Sequence, residues 1–448
     1  MTTADGAVLG AILLVSIAPQ APAASDCTPT VDADTRNAVL GKLASRLEAD
    51  YAVPQTATKL AEAVRGKQKL DAYRNITCAP ELARRLTEDL YAIAHDGHLR
   101  VNYSFGPVRE GPPGPPTAEE IQQMRKLNGM IPKVEILDGN VGYIRVNGVP
   151  PIAAARDAVA AAFAFVHGSD ALIIDDRENH GGDPNTVALY MSYLSAGPPY
   201  VVNTFHWRTG LIEQFRTTDL GELGYGAPKP VLVLTSPETF SGGEELAYDL
   251  QTFKRGVVVG EVTGGGANPG GPESLGHQFV VNLPSGQAVN PVTGGSWEGV
   301  GVKPDVAVPA PQALSKAHRL AVQRLLEETR DPAPRSLLEA VAMKLESLAQ
   351  AESGEGIRLA NAQLIGTYML LTGHGAAVTI QDKDGRLVQR VGGFPDARLI
   401  FVGGNRYKLE GLPEGSFTSF RLKEGKVQPL REAPGALPRI REKQAGFP

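Results

Sequence analysis

Cysteine is scarce in this sequence: 448 residues hold two, Cys27 and Cys78. One disulfide is the most that the chain can form, and in an oxidising compartment it would staple the mature N-terminus onto the helices that follow; two separate thiols are the other reading. An excess of basic charge is also missing. Lys plus Arg number 44 against 49 Asp plus Glu, a net charge of -5, and no basic run is long enough for a polyanion, so no nucleic-acid partner is expected. There is no His-Glu-x-x-His helix to hold zinc, and neither a metal nor another cofactor is expected. Beyond the N-terminus no apolar run is long enough to span a bilayer, and 42% hydrophobic residues suit globular cores rather than a membrane bundle.

What is present begins with a short apolar segment, Ala7 to Ala18, followed by the small residues Ala21-Pro22-Ala23. This reads as a signal peptide over 1–24, although its first residues lack Lys and Arg, and it implies an exported, periplasmic or extracellular protein with no integral membrane segment after its removal. Cys27 follows Ser25-Asp26, a poor lipidation signal.

Helical periodicity then dominates. Val39, Leu43, Leu47 and Tyr51 recur at helical spacing, as do Leu82, Leu86 and Leu90, which predicts a helical N-terminal subdomain over 25–100. The stretch Phe105 to Pro116 reads as a loop. Between 101 and 312 strands alternate with helices: continuous apolar runs at 141–146, 171–175, 231–235 and 257–260 are separated by helices at 151–166, 185–194 and 241–253. Such alternation predicts an α/β core with parallel pairings, covered on both faces. A helical connector is expected over 313–352, with Asp331-Pro332-Ala333-Pro334 as a linker inside it, and a small mainly-β module over 353–448, where Asp384-Gly385 signals a hairpin.

Three local patterns carry chemistry. In Thr239-Phe240-Ser241-Gly242-Gly243-Glu244 a buried strand turns into a helix at a serine. That puts a hydroxyl beside free N–H groups at the positive end of a helix dipole, where an oxyanion would be stabilised. The purely structural alternative is a capping box, Ser241 at the cap and Glu244 three residues on. In Asp175-Asp176-Arg177-Glu178-Asn179-His180-Gly181-Gly182 the glycines would present a second backbone donor, or only allow a tight turn. In Asp96-Gly97-His98 an imidazole would take the serine proton, with His95 as a rival and a surface histidine as the plain alternative.

These motifs, with Gly260-Glu261-Val262-Thr263-Gly264-Gly265-Gly266-Ala267 and Trp297-Glu298-Gly299-Val300-Gly301, resemble in their order the C-terminal-processing and tricorn-core family of serine peptidases, family forty-one, and most closely its tricorn-like and interphotoreceptor retinoid-binding branch. The likeness covers about residues 35–306. It implies a crotonase/ClpP-like α/β core and hydrolysis of a peptide or protein substrate without a cofactor. It implies Ser241 as nucleophile, His98 as general base, Glu298 as distal acid, and the N–H groups of Gly242 and Gly182 as oxyanion hole. Gly181 and His180 would touch substrate. The Ser–Lys branch carries its lysine where this chain has Gly266, and the tricorn pattern has a serine where this chain has Gly97. Two other readings on the same fold are a non-catalytic carrier of retinoids or fatty acids and a crotonase-type acyl-CoA enzyme. No room exists between 103 and 136 for a PDZ-like module.

Overall fold

The computed structural model describes residues 27–108, 115–195, 197–226, 228–353, 358–370, 377–393, 395–433 and 436–443; the signal peptide expected at 1–24 lies outside them. The first helices are α1 (Ala33–Asp50), α2 (Pro54–Lys69) and α3 (Ala79–Ala94). Asp32 starts α1 by accepting the Thr35 N–H at 2.8 Å. The apolar stripe read from the sequence is buried: Val39, Leu43, Leu47, Leu82, Leu86 and Leu90 are all in one cluster. Cys27 and Cys78 are joined, which ties the segment before α1 to the start of α3, and the Val31 N–H adds a 2.8 Å bond to Thr77 O. With the two 51 positions apart in sequence, replacing both by serine is expected to cost about 2–4 kcal/mol, read as a lowered thermal midpoint that a reductant also produces in the wild type.

After β1 (Arg100–Tyr103) and α4 (Ala118–Arg125) the core begins: β2 (Lys133–Leu137), β3 (Val141–Arg145), α5 (Ile152–Val166), β4 (Ala171–Asp175), α6 (Pro184–Leu194), β5 (Val201–Trp207), β6 (Ile212–Arg216), β7 (Val231–Thr235), α7 (Gly242–Thr252) and β8 (Val257–Gly260). Strands β9 (Gly270–Gly276), β10 (Phe279–Pro284), β11 (Gly286–Val289) and β12 (Val306–Ala307) follow. The central sheet runs β12-β8-β7-β4-β3-β2, parallel except for the β2–β3 pair. Its apolar strands are continuous because both faces are covered. In β4, Leu172 and Ile174 face α5, α6 and α7, while Ala171 and Ile173 face α8 (Ala310–Glu328) and α9 (Pro332–Ser353).

Two expectations change. Asp331-Pro332-Ala333-Pro334 is no linker: Pro332 opens α9, a position where a missing N–H costs nothing. The N-terminal helices are not a self-contained helical unit, because Leu275, Phe279, Val281 and Leu283 of β9 and β10 complete their core, and β1 pairs with β10. That long-range pairing leaves no local signal. The C-terminal β module is a closed barrel of eight strands, β13 (Gly366–Leu370), β14 (Val378–Lys383), β15 (Arg386–Val391), β16 (Ala397–Gly403), β17 (Arg406–Glu410), β18 (Phe417–Lys423), β19 (Lys426–Ala433) and β20 (Ala436–Lys443), entered through the short α10 (Asn361–Leu364). Asp384 and Gly385, both at positive φ, make the expected two-residue hairpin between β14 and β15.

Candidate active site

The carboxyl ends of β4 and β7 are neighbours in the sheet, so the loops that follow them meet. Asn179 and Thr239 lock them together. Thr239 Oγ1 donates to Asp176 O at 2.8 Å, the Phe240 N–H donates to Asn179 O at 2.9 Å, and Asn179 Nδ2 donates to the fully buried Asp176 at 2.6 Å. Burial pushes the Asp176 carboxyl well above its ordinary range.

Ser241 sits where this frame turns into α7. Its backbone is at φ 54 and ψ -123, a conformation that costs a non-glycine residue about 1–3 kcal/mol and is held only by surrounding structure. Half of the anticipated capping box forms: the Ser241 N–H donates to Glu244 Oε2 at 2.9 Å. The hydroxyl makes no cap hydrogen bond, which leaves it free for other work. Glu244 is a buried hub. Its carboxylate also accepts from Thr263 Oγ1, from the Gly265 N–H at 2.7 Å and from the Gly266 N–H at 2.8 Å, so one side chain fixes both the serine and the 263–266 loop. Burial raises its pKa against these hydrogen bonds.

Opposite Ser241 the two glycines have distinct tasks. Gly181, at φ 92, runs so close that a Cβ would lie 2.6 Å from Ser241 Cβ and 2.7 Å from Gly242 N. Its own N–H is spent on Asn179 Oδ1 at 2.8 Å. Gly182 is bracketed by the bonds Val149 N–H to Gly181 O at 3.0 Å and Asp183 N–H to Val149 O at 2.6 Å. Among the described residues neither the Gly182 N–H nor the Gly242 N–H has an acceptor, and a Cβ on Gly242 would lie 3.1 Å from Gly182 N. Two unused donors therefore stand side by side next to the serine. His180, expected to touch substrate, is exposed and is not among the residues lining the cleft in front of Ser241; it follows Asn179, whose side chain and carbonyl turn inward.

His98 lines that cleft together with Ser241, Gly182 and Gly242. His95 does not compete. It ends α3 in a left-handed conformation at φ 53 and is exposed, and its turn sends Asp96 to His98 toward the core. Asn282 Nδ2 holds the His98 carbonyl at 2.7 Å, and the imidazole packs on Phe240 with ring centroids 4.5 Å apart. Among the described residues no hydrogen bond joins the imidazole to the Ser241 hydroxyl, and His98 Nδ1 is buried without a partner. Burial lowers the His98 pKa, Asp96 opposes that shift, and Arg100 adds to it.

Asp96, quoted in the sequence motif without a role of its own, is only 1% exposed. Its Oδ1 lies 3.9 Å from His98 Nδ1 and accepts the His98 N–H at 2.9 Å, while its Oδ2 accepts from Tyr51 at 3.0 Å and Asn268 Nδ2 at 3.3 Å. Donor atoms of Asp96, His98 and Glu298 all lie within 4.8 Å of one another, the one such grouping of possible metal ligands among the described residues. Glu298 accepts the N–H groups of Ala267 at 2.6 Å and Asn268 at 2.8 Å through one oxygen and leaves the other buried and unpartnered. Burial, then the nearby Asp96 charge, pushes its carboxyl up to about 7. The departures from the related patterns have steric causes. A Cβ on Gly97 would meet Phe240 at 3.0 Å, and a Cβ on Gly266 would lie 2.3 Å from the Phe240 ring and 2.8 Å from His98 Cε1. The space that the first atom of any side chain would need at 266 is already taken by the Phe240 ring and the imidazole.

The model of Peptidase family S41 matches residues 140–308, and the model of the N-terminal domain of Peptidase_S41 in eukaryotic IRBP matches residues 33–138. Among solved structures, the chain is similar to the photosystem II D1 C-terminal processing protease (14% identity, covering 62% of this chain and 94% of that one, TM-score 0.40). It is also similar to the tricorn protease (15% identity, 69% and 37%, TM-score 0.42) and to a lipoprotein from Streptococcus agalactiae (13% identity, 64% and 96%, TM-score 0.44). With both sequence models matching in succession across the N-terminal helices and the α/β core, the chain belongs to peptidase family S41.

Proposed function

We propose that this peptidase works through Ser241. The observation that carries the reading is a serine hydroxyl left out of its own helix cap, beside two unspent N–H groups, in a cleft that also holds a half-buried imidazole. Ser241 Oγ attacks the carbonyl carbon of a peptide bond while its proton passes to His98. The Asp96 carboxylate lies on the Nδ1 side, which leaves Nε2 for the hydroxyl. The tetrahedral oxyanion is held by the N–H groups of Gly182 and Gly242 at the N-terminus of α7. His98 returns the proton to the leaving amine, and water then hydrolyses the Ser241 ester with the same base. In unliganded enzymes such Ser–His contacts are often long and close with substrate.

Asp96 takes the orienting role nearest the imidazole, and Glu298 acts behind it by holding the 267–268 backbone and the shared electrostatics of the cluster. Protein or peptide is the substrate class. The disulfide, which suits an oxidising compartment, supports an exported location. No helix among the described residues is long and apolar enough to cross a membrane. A cleft carrying three carboxyl groups, Asp183, Glu213 and Glu245, gives a retinoid or fatty acid little to favour it. The test is a fluorophosphonate probe followed by peptide mapping. The adduct is expected on Ser241; an unlabelled protein, or an adduct on another serine, removes the proposal.

A further inference from the structure

The cleft in front of Ser241 is lined by charge of one sign. Asp183, Glu213 and Glu245 line it, and no lysine or arginine does. Its walls are aromatic, from Phe205, Trp207 and Phe215 of β5 and β6. Glu213 sits on the wall, its carboxylate accepting from Trp207 Nε1 at 3.2 Å. Glu245 differs from the other two acids. It lies four residues after Ser241 on α7, hence on the same helix face and one turn deeper. It is 3% exposed, and its Oε1 has no hydrogen-bond partner. Asp249 extends the same stripe by one more turn, fully buried, and is tied by Asn290 Nδ2 at 3.0 Å. Asn203 faces Glu245 from β5, with an unpartnered amide nitrogen of its own.

Nothing in the acyl-transfer chemistry requires a carboxyl at this depth. A buried acid with an open acceptor, at the bottom of an aromatic-walled cleft free of cations, is complementary to a long cationic side chain. We propose that Glu245 is the floor of the subsite for the side chain whose own carbonyl Ser241 attacks, and that this subsite selects lysine or arginine. The inference rests on the Ser241 reading and names its substrate class. The aromatic walls cover the methylene stem and the rim of the cation, and the ammonium or guanidinium donates to the open oxygen. Burial pushes the Glu245 carboxyl up to about 8, so a bound cation is expected to displace its proton and form the ion pair. The Asp183 charge, which disfavours a second anion here, favours an incoming cation.

The experiment compares matched fluorogenic peptides that differ only at the residue preceding the scissile bond: lysine, arginine, norleucine, glutamine or glutamate. For the wild-type chain kcat/KM for lysine and arginine is expected to exceed that for norleucine by about tenfold or more, with glutamate poorest. In Glu245→Gln the lysine-to-norleucine ratio is expected to collapse toward unity. A readout that needs no variant is protection of Ser241 in the wild type, where benzamidine should slow fluorophosphonate labelling at concentrations at which neutral benzamide does not. Cleavage that favours norleucine or glutamine over lysine, a ratio unchanged in Glu245→Gln, or equal protection by the two aryl compounds overturns the assignment. Failure of the parent reading looks different: no label on Ser241 and no cleavage of any peptide, an outcome that removes the subsite along with the nucleophile.

Discussion

Ser241→Ala is expected to lose fluorophosphonate labelling and to lower kcat on a peptide substrate by a factor on the order of 10⁵, while the thermal midpoint barely moves. The two readouts together separate the readings that the sequence left open. Were Ser241 only a helix cap, alanine would cost about 1 kcal/mol of stability and nothing in rate. In the structure the hydroxyl makes no cap hydrogen bond, and the Ser241 N–H itself is held by Glu244. Alanine therefore removes no hydrogen bond that holds the helix. The positive φ is common to serine and alanine, so the backbone cost is unchanged. Residual hydrolysis above the uncatalysed rate is expected, because the Gly182 and Gly242 N–H groups stay in place. A variant that is destabilised but still turns over at the wild-type rate would return Ser241 to a capping role.

The legible parts of this fold are those whose signal is local. β3, β4, β7 and β8 are continuous apolar runs because two helical layers cover the sheet, and that demand is written in each strand alone. β5 was not anticipated, although Val201, Asn203, Phe205 and Trp207 alternate at strand period, because polar residues interrupt the run and its antiparallel partners β6 and β11 lie in sequence beyond turns. The omission matters, since β5 and β6 supply the aromatic wall of the cleft. Closure of the barrel rests on β13 meeting β20, a pairing of the first strand with the last that no short window contains. In the site, the residues inside motifs were readable and those defined by burial were not. Asp96 stands within a quoted motif and Glu245 one residue beyond another, yet each gains its meaning from desolvation and from distant neighbours such as Tyr51, Asn268 and Asn203.

His98→Ala should reduce kcat nearly as far as Ser241→Ala, on the order of 10⁴-fold or more, because a nucleophile and its base act as one unit and their losses do not add. The double variant is accordingly expected to be no slower than Ser241→Ala alone. The pH profile gives the finer test of how the imidazole is held. The base acts when neutral, so lowering its pKa extends activity to lower pH. Asp96 is the charge that opposes the effect of burial on His98, and it also raises the Glu298 carboxyl. Asp96→Asn removes both influences in the same direction. The acid limb of kcat/KM is expected to move to lower pH than in the wild type, because burial and the Arg100 charge, which both lower the imidazole pKa, then act unopposed by Asp96. At the same time kcat should fall, because Asp96 also holds the His98 backbone N–H and, through Oδ2, the Tyr51 and Asn268 side chains that wall the cluster. A weaker base in a looser seat loses rate at every pH; a merely structural Asp96 would change stability and leave the limb where it was. The imidazole and the Glu298 carboxyl lie in one cluster, so the limb belongs to both, and Glu298→Gln, which leaves Asp96 in place, is the control that separates the carboxyl's share of the shift from the imidazole's.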